Sequence, residues 1–149
     1  MTAFEDYLEA AFFEVMLAAP SAAGVVRRAE FRSAKVLREF VLNGRPYVNW
    51  LPYGRTEERA KIYLRGSRPF HIPTKTDKRQ MDDWMVIRHA IAHTSREARR
   101  RFERRVLAGV PLPPRERTPA GYLRSTLRPG QTRFENITAT MGAIAAKLN

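Results

Sequence analysis

Apolar residues recur every three or four positions along most of the chain, and prolines and glycines separate these stretches. This spacing is typical of amphipathic helices that bury one face. No stretch shows the strict alternation of apolar and polar residues expected of a half-buried strand. The sequence therefore predicts an all-α fold, a compact bundle of about five to six helices. The length of 149 residues predicts a single domain, residues 1–149.

Helix starts and stops can be placed from capping residues. Pro20 predicts the end of the first helix. Ser21 is a suitable cap for a second helix, which runs to about Leu42 and stops at Asn43–Gly44. Its predicted inward residues are Val25, Ala29, Val36, Phe40 and Val41.

Residues 44–55 combine prolines with aromatic residues and predict an ordered loop that packs on the core. Later helices are predicted over Thr56–Arg65 and from about Asp77 to His93, whereas residues 122–127 are ambiguous. The pairs Thr94 with Glu97 and Thr132 with Glu135 have capping-box spacing, so each predicts the start of another helix.

Charge is the compositional feature that bears most on function. Lys and Arg number 27 against 15 Asp and Glu, which gives a net charge of +12. A balance this basic favours a polyanionic partner, most often nucleic acid. A GC-rich genome would explain the preference for Arg over Lys, but not the net charge. The chain has no cysteine, which excludes disulfides, thiolate metal sites and cysteine nucleophiles.

The most apolar stretch near the N-terminus, Ala10–Ala19, contains Glu14 and is too short to cross a bilayer. The acidic residues before it have the wrong sign for a secretory signal. We therefore expect a cytoplasmic protein with no membrane partner.

Arg88 and His93 are the residues that suggest catalysis. Five helical positions place them about 140° apart, on adjoining faces that can line one groove. A histidine with a pKa near neutrality can take the proton of an RNA 2′-hydroxyl. An arginine can hold the phosphate and the charge that grows on it. An isolated pair of this kind is also common on ordinary helices.

His89 and His93 are one helical turn apart and could share a metal ion. A third ligand would have to come from His71 on a distant loop, because no carboxylate lies within a turn on that side. The sequence therefore predicts neither a metal nor another cofactor.

The stretch Trp84–Ser95, with Arg88 and His93 inside it, resembles the HEPN superfamily (higher eukaryotes and prokaryotes nucleotide-binding). The signature of that superfamily is an Arg, four to six residues, then a His. A polar residue often follows the Arg, and here it is His89. The resemblance is specific over about residues 81–102 and otherwise rests on the helical pattern.

The resemblance implies a helical bundle that dimerises, so that two Arg/His pairs meet in one cleft. Many members are metal-independent ribonucleases of toxin–antitoxin, defence or RNA-processing systems, while others are binding modules without activity. It implies that Arg88 and His93 are the catalytic pair and that His89 supports them. Partners implied are RNA, a second copy of the chain and, for a toxin, an antitoxin protein.

The helix predicted after His93 contains six arginines: Arg96, Arg99, Arg100, Arg101, Arg104 and Arg105. Arg96, Arg100 and Arg104 are spaced four apart, and their steps of roughly 6 Å suit an RNA backbone. We predict RNA binding by these three and by Arg99. The alternative is a solvated helix face, paired in part with Glu97 and Glu103.

The leading interpretation is an endoribonuclease that cleaves RNA by 2′-hydroxyl transesterification in a composite dimer cleft, in the role of a toxin or defence effector. The first alternative is a non-catalytic HEPN-like module that binds RNA or protein. The second is a helical adaptor whose arginine surface is incidental.

Overall fold

The computed structural model describes residues 3–18 and 26–148. Within these ranges the chain is mostly helical, with two small antiparallel sheets. The helices are α1 (Ala3–Leu17), α2 (Ala34–Leu42), α3 (Gly54–Tyr63), α4 (Lys75–Ala92), α5 (Arg96–Arg105), α6 (Pro119–Arg124) and α7 (Arg133–Ala146). The strands are β1 (Val26–Arg27), β2 (Leu64–Arg65), β3 (Thr126–Arg128) and β4 (Gln131–Thr132).

The helical character predicted from the sequence is confirmed. The predicted number of five to six helices is too low, because the described residues contain seven. The ambiguous stretch 122–127 holds the end of α6 and most of β3. Pro119 is at the first position of α6 and Thr118 caps it, so this short helix has a local start signal of its own.

Contacts divide the chain into two compact units, the first made of residues 1–78 and 144–149, the second of residues 79–143. The single domain remains a prediction. No helix within the described residues is both long and apolar enough to cross a membrane.

The core of the first unit is aromatic. Phe12 of α1 is fully buried and packs against Trp50, Tyr63 and Phe70, at ring-centroid distances of 5.2, 5.9 and 5.6 Å. Tyr53 is also fully buried and donates its hydroxyl hydrogen to the carbonyl oxygen of Phe70 at 2.9 Å. The prediction that aromatic residues hold the loop 44–55 on the core is confirmed for Trp50 and Tyr53.

The second helix differs from its prediction. It begins at Ala34, where the Ser33 hydroxyl accepts a hydrogen bond from the backbone N–H of Val36 at 3.3 Å. Residues 21–25 lie outside the described residues, and Val26–Arg27 forms β1, paired with β2. The buried face of the observed helix is centred on Leu37, which is fully buried.

The predicted inward residues of that helix are therefore only partly right. Val41 is buried, whereas Val36 is 39% and Phe40 62% exposed. Ala29 precedes the helix and is exposed. The predicted stop is confirmed, because Asn43 has a left-handed backbone (φ 46°) and caps the helix with an N–H bond to the Glu39 carbonyl.

The start of α4 is fixed within the first unit. The Thr74 backbone N–H and hydroxyl both donate to the Asp77 carboxylate, at 2.7 and 2.9 Å. Lys147 also donates to this carboxylate, at 2.7 and 2.9 Å. The hydrogen bond from Lys147 is the main effect that lowers the pKa of Asp77 below its usual value. Burial acts in the opposite direction, and the hydrogen bonds from Thr74 lower the pKa further.

The core of the second unit joins α4 to α5. Val86 and Ile87 of α4 pack with Phe102 of α5 and with Val106, the residue that follows α5, and all four are buried. Phe102 also meets the ring of Tyr122 edge-on at 5.8 Å. This apolar seam fixes how the two helices lie along each other, and so positions the polar residues at their junction.

The two predicted capping boxes have different outcomes. Thr132 and Glu135 exchange the expected bonds, with the Thr132 N–H donating to the carboxylate at 2.8 Å and the Glu135 N–H donating to the hydroxyl at 3.2 Å. The predicted box at Thr94 is wrong by one residue. Ser95 caps α5 instead, because its hydroxyl accepts from the Ala98 N–H at 3.2 Å.

Candidate functional site

Two histidines meet where α4 ends. His89 lies in its last turn, and His93 follows its final residue, Ala92. The His93 backbone N–H donates to the His89 carbonyl at 2.9 Å, which continues the helical pattern by one more bond. The two ring centroids are 4.3 Å apart, and both side chains are exposed. The junction therefore presents two titratable rings to solvent as a pair.

Arg88 occupies the neighbouring position on α4. It is half-buried and follows Val86 and Ile87, which are each only 2% exposed. On a helix, five residues separate Arg88 and His93 by about 140°. The ring contact of His93 is thus with His89, while Arg88 acts on His89 through its charge.

The surroundings of His89 lower its pKa below the ordinary value of 6.5. Desolvation is the largest cause, followed by the positive charges of His93, Arg101 and Arg88. Each effect disfavours the protonated ring. The neutral form of the His89 ring, which has a nitrogen lone pair that can accept a proton, is therefore favoured.

The predicted RNA-binding arginines fall into two groups. Arg99 pairs with Glu103 at 3.1 Å, and Arg104 pairs with Glu97 at 3.3 Å. These are the acidic partners that the solvated-face alternative requires. Arg96 and Arg100 are exposed, and neither forms an ion pair with any residue in 3–18 or 26–148.

A basic cleft of about 470 Å³ lies beside α5, lined by Arg79, Arg101, Arg104, Arg105 and Ala108. Only Arg104 belongs to the set predicted from sequence. Arg105 is held by Asp83 at 2.5 Å and by Asp82 at 3.6 Å, which ties the end of α5 to the middle of α4. Because Arg101 also acts on His89, the cleft is electrostatically linked to the histidine pair.

Sequence reasoning missed Arg79 and Arg101 as site residues. Arg101 is four residues before Arg105, so helical spacing could have placed these two on one face. Nothing in the sequence associates Arg79 with them, because that association depends on how α4 packs against α5.

Metal-binding chemistry needs more donors than the histidine pair supplies. Over the part of the chain that the structure describes, no group of three or more His, Cys, Asp or Glu side chains is placed to hold an ion. His71 is exposed and belongs to the first compact unit, whereas His89 and His93 belong to the second.

Comparison with known proteins gives no match to this chain, whether with protein-family models, with curated proteins or with solved structures. The interpretation of the junction therefore depends on its own residues and their chemistry.

Proposed function

We propose that this protein is an endoribonuclease that needs no metal ion and cleaves RNA at the junction of α4 and α5. The observation that carries the proposal is the contact between the exposed rings of His89 and His93, 4.3 Å apart beside Arg88 and Arg101. Two imidazoles and nearby fixed positive charges are the groups that phosphodiester transesterification uses.

The proposed reaction needs no external nucleophile. A neutral imidazole takes the proton of the RNA 2′-hydroxyl, and the oxygen attacks the adjacent phosphorus. The bond from phosphorus to the 5′-oxygen breaks, and a protonated imidazole gives that oxygen its proton. The products are a 2′,3′-cyclic phosphate and a free 5′-hydroxyl. Arg88 stabilises the negative charge that grows on the phosphoryl oxygens.

Two sources can supply the second imidazole. His89 lies within the same chain, and its lowered pKa suits a base. A two-fold dimer would bring a second Arg88 and His93 into a composite cleft through matching contacts. We include the dimer in the proposal, and light scattering at micromolar concentration is expected to give twice the chain mass. A strict monomer that still cleaves RNA would leave His89 as the second group and remove the dimer.

The basic cleft gives this site a means of holding its substrate. Arg79 and Arg101 are cations of this cleft that can follow a phosphate backbone, whereas Arg104 is already paired with Glu97. The same cleft also supports the second candidate function, an RNA-binding module without catalysis, because holding the backbone does not require the histidines.

The test is incubation of the purified protein with single-stranded RNA in the presence of EDTA. We expect fragments ending in 2′,3′-cyclic phosphate, and no cleavage of DNA, which lacks the 2′-hydroxyl. The control is the double variant Arg88→Ala, His93→Ala, purified in the same way. Cleavage that persists in this variant would identify a contaminating nuclease. Binding of RNA by the wild-type protein without any cleavage would favour the second candidate.

A further inference from the structure

A second concave surface lies in the first compact unit, and none of the residues of the histidine site lines it. It is a cavity of about 700 Å³ between the end of α2, the loop 44–49 and one face of α3. This volume lies within the usual range of small-ligand sites. Its lining combines arginines with aromatic and aliphatic side chains, and Glu58 is its one acidic residue.

Three arginines gather at this cavity. Arg55 and Arg59 are one turn apart on α3, and Arg45 enters from the loop after Gly44. Neither Arg45 nor Arg55 forms an ion pair with a described residue. Like charges held together without matching carboxylates repel one another, so an anion in the cavity would relieve that repulsion.

Arg59 is already held in place. Its guanidinium lies 4.5 Å from the centre of the Trp50 ring, and it donates to the carbonyl of Asn49 at 3.3 Å. Desolvation is the main effect that lowers its pKa from the ordinary value. The charges of Arg45 and Arg55 lower the pKa further, whereas Tyr63 and Glu9 oppose the shift. A guanidinium fixed in this way loses little freedom when it binds a phosphate.

Aromatic rings stand beside these charges. Tyr47 is 63% and Phe40 62% exposed, whereas Trp50 and Tyr53 of the same unit are completely buried. The ring of Phe40 packs edge-on against the ring of Phe31, with their centroids 5.4 Å apart. This contact restrains the orientation of the exposed ring. Exposed rings next to arginines form the kind of surface on which unpaired bases stack.

We propose that this cavity binds single-stranded RNA, with a base stacked on Tyr47 or Phe40 and adjacent phosphates on Arg45 and Arg55. The inference rests on the proposed function only for its ligand class, RNA. Charge complementarity favours this occupant over a second copy of the chain. A two-fold pairing of this surface would bring its three arginines against the same three arginines, while the lining contributes one acidic residue, Glu58, from each side.

The experiment measures binding of a single-stranded 2′-fluoro RNA about ten nucleotides long. This probe lacks the 2′-hydroxyl, so the proposed reaction cannot cut it. We expect Tyr47→Ala and Arg55→Ala each to weaken binding by about fivefold or more. The matched control is Arg32→Ala, which removes an exposed arginine of the same unit that does not line the cavity. Thermal melting checks that each variant is folded.

A second readout places the RNA at the cavity. The chain has two tryptophans, so the substitution Trp84→Phe leaves Trp50 as the single fluorescent tryptophan. The ring of Trp50 packs against the guanidinium of Arg59. Its fluorescence is expected to change when the probe binds to the otherwise wild-type protein and to change less with Arg55→Ala.

Three results would overturn the inference. They are unchanged binding in both cavity variants, an equal loss in Arg32→Ala, and binding of free adenosine monophosphate as tight as that of the RNA, which would indicate a small-molecule site. Normal cleavage with unchanged probe binding in the cavity variants would remove this inference alone. Probe binding that depends on Tyr47 and Arg55, without cleavage of any RNA, would remove the proposed ribonuclease alone.

Discussion

The junction of α4 with α5 and the cavity beside α3 are both rich in arginine, yet they differ in what accompanies the charge. At the junction, two titratable rings touch, and several of the nearby arginines are paired with carboxylates. At the cavity, the exposed rings of Phe40 and Tyr47 lie beside Arg45 and Arg55, neither of which forms an ion pair with a described residue. The comparison shows that similar positive charge is accompanied by different neighbouring groups. Under the two proposals, those groups distinguish a site that cleaves RNA from a site that only binds it.

The largest expected effect tests the junction as the place of chemistry. His93→Ala removes an acid–base group and should lower the rate of RNA cleavage by about 100-fold or more. His71→Ala is the matched control, because it removes an exposed histidine of the other compact unit and should leave the rate unchanged. The measurement is initial cleavage rate at saturating RNA. Equal rates for the two variants would mean that the histidine pair is not catalytic.

A smaller effect concerns stability in the unit that contains the cavity. Asp77→Asn weakens the bonds from Lys147 and Thr74, and should lower the free energy of unfolding by about 1 to 3 kcal/mol at neutral pH. Since folding lowers the pKa of Asp77, its stabilising contribution is present above the ordinary carboxyl pKa of 3.8 and is lost as the pH falls through and below that value.

Urea unfolding at several pH values measures this contribution. The difference between wild type and Asp77→Asn should shrink below about pH 4. A difference that stays constant down to pH 2 would show that the charge of Asp77 does not contribute. RNA cleavage per folded molecule should be unchanged, because Asp77 takes no part in the proposed chemistry.

Two pairs of arginines on α5, one without and one with carboxylate partners among the described residues, are expected to contribute differently to RNA binding. Replacing Arg96 and Arg100 with alanine should weaken RNA binding several-fold and reduce its salt dependence, by a slope of about 0.7 for each lost phosphate contact. The matched variant replaces Arg99 and Arg104, whose charges already face Glu103 and Glu97. That variant should change binding less. Equal losses would mean that ion pairing on this exposed face does not matter for binding.

The smallest expected effect is a shift in pH dependence. Because the pKa of His89 is lowered from 6.5, His89 stays neutral somewhat below that pH, and cleavage that uses it as a base should persist there. Arg101→Gln removes one of the charges responsible, so the pKa of His89 should rise and the acidic limb of the pH–rate profile should move upward. Proton NMR titration of the His89 ring checks the same shift directly. A limb that moves downward would contradict the role given to Arg101.

Local signals in the sequence were sufficient for much of the fold. The Thr132–Glu135 box and the left-handed stop at Asn43 are made by neighbouring residues, so their outcome follows from spacing and backbone preference. The second helix shows the limit of that reasoning. Apolar spacing favoured a long helix ending at Leu42, but the pairing of β1 with β2 joins residues far apart in the chain and takes Val26–Arg27 out of it.

The sequence by itself determined the helical character of this protein, its excess of positive charge and the placement of Arg88 and His89 near the end of one helix, with His93 directly after it. Tertiary structure decided which arginines are paired with carboxylates, that Arg79 and Arg101 share a cleft, and that Arg45, Arg55 and Arg59 surround a cavity beside exposed rings. The physical reason is the distance along the chain over which each kind of interaction acts. Helix periodicity and capping act over a few residues, whereas clefts and charge clusters arise only when the buried faces of separate helices pack together.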